Sequence, residues 1–192
     1  MSKSNSRNYK IIFTANGILS FADGLYYPFL IGFLYGLGGI PLLGTGLGLA
    51  LIFESIGSYF AGKLADKYGT KPFFIISSVA SITVYIAYPL LPFIDETGRS
   101  LMLSALFLIL IIDGISDGFW GTVEAVYLAD ITSKTTRGSK MGFYWGAGGL
   151  ITGAAMFGAG FLGLYIDFLT LALIVVSIYF AGVFILFRIK EM

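Results

Sequence analysis

The chain has 192 residues, of which 57% are hydrophobic and 12% charged, with a formal net charge of +1 and neither cysteine nor histidine. With a mean hydropathy of +0.87 it is more apolar than soluble domains, which are about 45–50% apolar, and its long apolar runs indicate an all-α integral membrane protein. The missing residue types exclude disulfides, thiol nucleophiles, zinc–thiolate sites and serine–histidine hydrolases, and the small net charge argues against a nucleic-acid partner.

Residues 1–9 are polar and basic, with Lys3 and Arg7, and the apolar run after them is too long and too interrupted for a cleavable leader. A first span is expected over 10–37, long enough at ~1.5 Å per residue to cross a ~30 Å hydrocarbon core, with a kink at Pro28. An uncharged turn at 36–43 leads to a second span, 44–61, and a polar loop at 62–72. A third span covers 73–93 and ends near Pro89 and Pro92, and a polar turn follows at 94–100. The fourth span, 101–129, is closed by a polar loop at 130–140. A glycine-rich fifth span covers 141–165, and after a turn at Asp167 the sixth covers 168–187. One domain, 1–192, is expected.

Lysine and arginine at the span ends fix the expected orientation. With the N-terminus cytoplasmic, Lys3, Arg7, Lys10, Lys63, Lys67, Lys71, Lys134, Arg137, Lys140, Arg188 and Lys190 share one side, and Arg99 stands alone on the other. Both termini are then cytoplasmic and the location is the cell membrane.

The loop GKLADKYGTKP, Gly62 to Pro72, resembles the signature between the second and third helices of the major facilitator superfamily. Gly62, Leu64, Ala65, Asp66, Lys67, Gly69 and Lys71 agree with that pattern, and Thr70 departs from it. Gly62 and Gly69 would allow close approach and a tight turn, Asp66 would face the amides of a helix start, and Pro72 suits a first helical turn. Ala129 to Gly142, with Asp130 and Arg137, is similar to the loop after the family's fourth helix. The resemblance covers the chain as the amino-terminal six-helix half of a twelve-helix transporter, in which the first and fourth helices line a central cavity. Two departures are an absence of arginine in the fourth span and Ala154 where exporters often carry a proline.

Carboxyls inside spans carry the chemistry, because a charge at mid-membrane costs roughly 2.5–3.5 kcal/mol on insertion scales. They are Asp23, Glu54, Asp113, Asp117 and Glu124, and apart from Lys10 at the very start of the first span no span contains a lysine or arginine. Asp113, Asp117, Trp120 and Glu124 repeat at helical spacing along one stripe, and so do Asn16, Ser20, Asp23 and Tyr27. Asp23, Asp113, Asp117 and Glu54 are the candidates for binding a coupled proton or cation. Asn16, Ser20, Tyr27, Trp120 and Glu124 are the candidates for lining the substrate cavity. Glu124 and Asp130 could instead clamp to Lys67 or Lys71. Tyr144 and Trp145 read as interfacial anchors, and Gly142, Gly146, Gly149 and Gly153 as a helix-packing stripe. Gly62, Asp66, Lys67, Gly69, Lys71, Asp130 and Arg137 are the signature and gating candidates.

The expected function is secondary active transport of a small solute by alternating access, coupled to a proton or cation gradient, with no enzymatic activity, cofactor or metal. The solute is cationic or neutral and amphipathic. Besides membrane lipid, the expected partner is a second six-helix half, either a parallel homodimer copy or a separate carboxy-terminal half. The alternative is a non-transporting receptor or assembly module that keeps the fold.

Overall fold

Apolar residues in long uninterrupted runs make helices wherever backbone polar groups must be satisfied within their own segment. The computed structural model describes residues 3–95 and 98–189; Glu96 and Thr97 of the expected turn, and Lys190, lie outside them. The described residues form helices without strands: α1 (Lys3–Tyr68), α2 (Lys71–Asp95), α3 (Arg99–Ile131), α4 (Arg137–Leu162) and α5 (Phe168–Leu186). All are long and apolar enough to cross a membrane.

There are five helical elements rather than six, because the first two expected spans are joined in α1. Its 66 residues leave helical geometry only at Gly38 (φ −161°, ψ 21°) and Gly39 (φ 64°, ψ −158°). The expected turn at 36–43 therefore shrinks to two glycines, and Pro28 sits within helical dihedrals. Gly39 has the positive φ that an L side chain resists, so the sharpest bend falls there. It separates a first arm, 3–37, from a second, 40–68.

Contacts give the direction of each piece. Along the second arm, Gly46, Ala50, Glu54 and Gly62 meet Leu110, Gly114, Gly118 and Thr122 of α3 in ascending order, so the two run parallel. Along the first arm, Tyr9 meets Lys140, Ser20 meets Thr152 and Phe29 meets Gly163, so this arm runs parallel to α4. The Arg99 guanidinium donates to the carbonyl of Leu37, which puts the end of the first arm at the start of α3. The first arm is thus antiparallel to α3, and the chain reverses at Gly38–Gly39. Helices α2 and α3 form an antiparallel hairpin joined by buried serines: Ser81 and Ser116 lie 3.1 Å apart and Ser116 donates to the Ser77 carbonyl.

Backbones touch where side chains are missing. A Cβ on Gly114 would lie 2.2 Å from the carbonyl oxygen of Ala50, one on Gly118 2.1 Å from that of Glu54, and one on Gly57 2.6 Å from that of Ile115. The α4 glycines behave differently. Gly142, Gly146, Gly149 and Gly153 have nothing within 4 Å of such a Cβ, so the stripe expected to pack is turned away from the described bundle. Helix α4 instead packs through Gly148, Thr152 and Ala155 onto the first arm.

The connections are shorter than the polar residues suggested. Helix α1 continues to Tyr68, and the expected loop at 62–72 reduces to Gly69 and Thr70. Gly69 has φ 80° and its amide donates to Ala65, the left-handed helix ending that glycine favours. A Cβ on Gly62 would meet only Thr122 at 3.8 Å, so close approach is not its role. Likewise α3 and α4 extend into the expected 130–140 loop and leave only residues 132–136 between them. Asp167 caps α5: its carboxyl accepts from the Thr170 amide at 2.9 Å and from the Thr170 hydroxyl at 2.7 Å. These bonds, the amide's foremost, hold this exposed carboxyl below its usual pKa.

Candidate functional site

The arms, α2, α3 and α5 enclose a cavity of about 340 Å³. Asp23 and Tyr27 enter it from the first arm, Glu54 from the second, and Asp113, Asp117 and Trp120 from α3. Most of the residues singled out by helical spacing therefore meet in one place, although the stripes that carry them are far apart in sequence. Among the described residues, no lysine or arginine lines the cavity.

Helix α2 supplies what the sequence reading missed. Tyr85 donates its hydroxyl to Asp23 Oδ1 at 2.5 Å, and Tyr88 donates to Asp113 Oδ2 at 2.9 Å. The two tyrosines are three residues apart and so share a helix face. Tyr26 donates to the Tyr85 carbonyl at 2.9 Å, and its ring lies 4.4 Å from that of Tyr85. The available signal was this Tyr–x–x–Tyr spacing in a span without charges. By contrast, Asp117 and Glu54 accept no hydrogen bond from any described residue.

Other candidates fall elsewhere. Asn16 and Ser20 are bonded to each other at 3.3 Å and face Gly148 of α4 rather than the cavity. Glu124 is buried and tied to α4, accepting from Tyr144 at 2.6 Å and from the Trp145 indole at 3.2 Å. That replaces the expected clamp to Lys67 or Lys71. It also corrects the anchor reading of Tyr144, which is fully buried. Trp145 is exposed. Two hydrogen-bond donors satisfy a buried carboxyl as a distant lysine cannot.

The signature residues gather at the end where α1 turns into α2 and α3 finishes. Asp66, Gly69 and Asp130 line a second cavity of about 470 Å³ there. Asp66 is exposed and accepts no hydrogen bond from a described residue, so it does not serve the α2 amides as expected. Lys67 lies 4.9 Å over the ring of its neighbour Tyr68, and Lys71 opens α2. Arg137 donates to the Ala129 carbonyl at 2.6 Å, satisfying a carbonyl in the last turn of α3. Its Nε is buried without a hydrogen-bond partner among the described residues.

The cavity thus brings carboxyls, with no basic residue among its described lining, together with aromatic walls, and no cluster of three or more histidine, cysteine, aspartate or glutamate side chains is placed to hold a metal ion among the described residues. No curated protein matches the chain. The model of one family, the Major Facilitator Superfamily, matches residues 12–191.

Proposed function

Since the chain belongs to the Major Facilitator Superfamily, a family of membrane transporters rather than enzymes, we propose that it works in secondary active transport, moving a small solute by alternating access in the cell membrane. Its coupling to a proton or cation gradient runs through Asp23, Asp113, Asp117 and Glu54. The observation that carries this reading is the convergence of these carboxyls, drawn from both arms and α3, on a single cavity with no basic residue among its described lining. Six crossings, with both termini cytoplasmic, agree with the reversal at Gly38–Gly39 and with the sided lysines and arginines.

The cavity needs a second wall. Asp117 is exposed, and a charged group within a span cannot face lipid cheaply. The open glycine stripe of α4 is the kind of surface on which another helix packs closely. A second six-helix half, whether a parallel copy or a separate carboxy-terminal half, would complete the site, and a cationic or neutral amphipathic solute suits it. The gating role of Asp66, Lys67, Gly69, Lys71, Asp130 and Arg137 belongs to the same proposal.

The rival reading is a non-transporting module. Its support is that Asp23, Asp113 and Glu124 are each held by tyrosine hydroxyls, as structural acids would be. Solute uptake into proteoliposomes under an imposed pH gradient separates the two. Transport predicts a gradient-driven flux that Asp23→Asn and Asp113→Asn uncouple from pH. No flux, together with intact assembly of both variants, favours the module.

A further inference from the structure

Hydrogen-bond donors are unevenly shared among the cavity carboxyls. Asp23 takes Tyr85 and Asp113 takes Tyr88, while Glu54 and Asp117 are left without a donor among the described residues. Both face the void, Asp117 exposed and Glu54 half-exposed. They are held at one level, because the Glu54 carbonyl lies against Gly118, the residue after Asp117. Trp120 of α3 and Tyr27 of the first arm line the same cavity, with Tyr27 exposed.

A bare metal ion is a poor occupant, since among the described residues no three histidine, cysteine, aspartate or glutamate side chains are placed to hold one. A carboxyl pair backed by aromatic faces suits a cation whose charge is spread over apolar groups, which is attracted by the carboxyls and by the ring faces without needing to be chelated. The volume of about 340 Å³ lies near the lower end of small-molecule pockets, roughly 300–1,000 Å³, enough to admit such a head group.

We infer that Glu54 and Asp117, with Trp120 and Tyr27, hold the head group of a small organic ammonium solute, while the tyrosine-bonded Asp23 and Asp113 contribute less to holding that charge. The inference rests on the transport reading of the cavity and narrows its solute to one chemical class.

The test is equilibrium binding of radiolabelled benzyltrimethylammonium to the full chain in lipid nanodiscs without any gradient, with neopentylbenzene, its neutral carbon isostere, as competitor. The expected result is saturable binding that unlabelled cation displaces and the isostere does not. Glu54→Gln and Asp117→Asn should each weaken it by about tenfold or more, and Asp117→Glu, which keeps the charge, should recover most of the loss and show that the fold survives. Asp167→Asn, at a residue that does not line the cavity, should leave it unchanged. Absence of saturable binding, equal displacement by the isostere, or a loss at Asp23→Asn as large as that at Asp117→Asn overturns the inference. The transport reading fails separately: cation binding without gradient-driven flux sinks transport alone, and pH-coupled flux of a neutral solute without cation binding sinks the ammonium assignment alone.

Discussion

The hydroxyl of Tyr85 donates to the carboxyl of Asp23 over 2.5 Å, tying α2 to the first arm at the cavity wall. Hydrogen bonds to charged groups contribute about 1.5–3 kcal/mol, and neutral ones about 0.5–1.5. A double-mutant cycle of Tyr85→Phe and Asp23→Asn, read by thermal unfolding in detergent, should give a coupling energy of about 1–2 kcal/mol. A coupling near zero would show that the pair does not act as a unit.

Gly114 and Gly118 admit the second arm at backbone distance, with carbonyl oxygens 2.2 and 2.1 Å from where a Cβ would lie. Neither obstacle is a flexible side chain, so the helices must separate to accept alanine. Gly114→Ala and Gly118→Ala should each destabilise by about 1–3 kcal/mol, the usual range for overpacking. Gly142→Ala, with open space around it, should stay within about 0.5 kcal/mol of the parent. Equal effects at the three sites would contradict the packing described.

Gly39 carries the positive φ at the bend of α1. With ψ −158° Gly39 lies in a region open essentially to glycine alone, which costs another residue about 1–3 kcal/mol, so Gly39→Ala should lower the midpoint of unfolding, while Gly36→Ala, in helical backbone with open space, should not. Chemical denaturation in mixed micelles would compare them.

Asp167 has its pKa lowered by the Thr170 amide and hydroxyl. A carboxyl depressed on folding stabilises above its unfolded value, about 3.9, and that contribution fades as the pH falls through the lower folded value. Asp167→Asn should therefore melt below the parent at pH 7, with the gap closing as the pH drops below about 4. A gap independent of pH would show that the charge has no part in the cap.

Helical spacing made much of the site legible in advance. Asp113, Asp117 and Trp120 fall on one stripe because they repeat every three or four residues, and so do Asp23 and Tyr27; a charged stripe in an apolar helix has to face protein. Spacing gave no means of pairing one helix with another, so the partners from α2, Tyr85 and Tyr88, went unseen. It also carried Asn16, Ser20 and Glu124 too far, since each continues a stripe but turns toward α4. The reversal at Gly38–Gly39 falls inside the uncharged turn expected at 36–43, but composition could not show that two residues without side chains suffice for it. The α4 glycines were read for packing from their spacing, which says that a helix could approach closely but not whether one within the chain does.

The contact through Gly57, Gly114 and Gly118 has a mechanical consequence. With no side-chain layer between them to slip or re-pack, the second arm and α3 tilt as one double-width plank. Glu54, Asp113 and Asp117 ride on that plank and keep their spacing whatever it does, while Asp23 rides on the first arm. A rocking motion in this bundle would therefore register as a change in a single distance, from Asp23 to the other three acids, and the Tyr85 and Tyr88 hydroxyls would be left straddling the seam that opens.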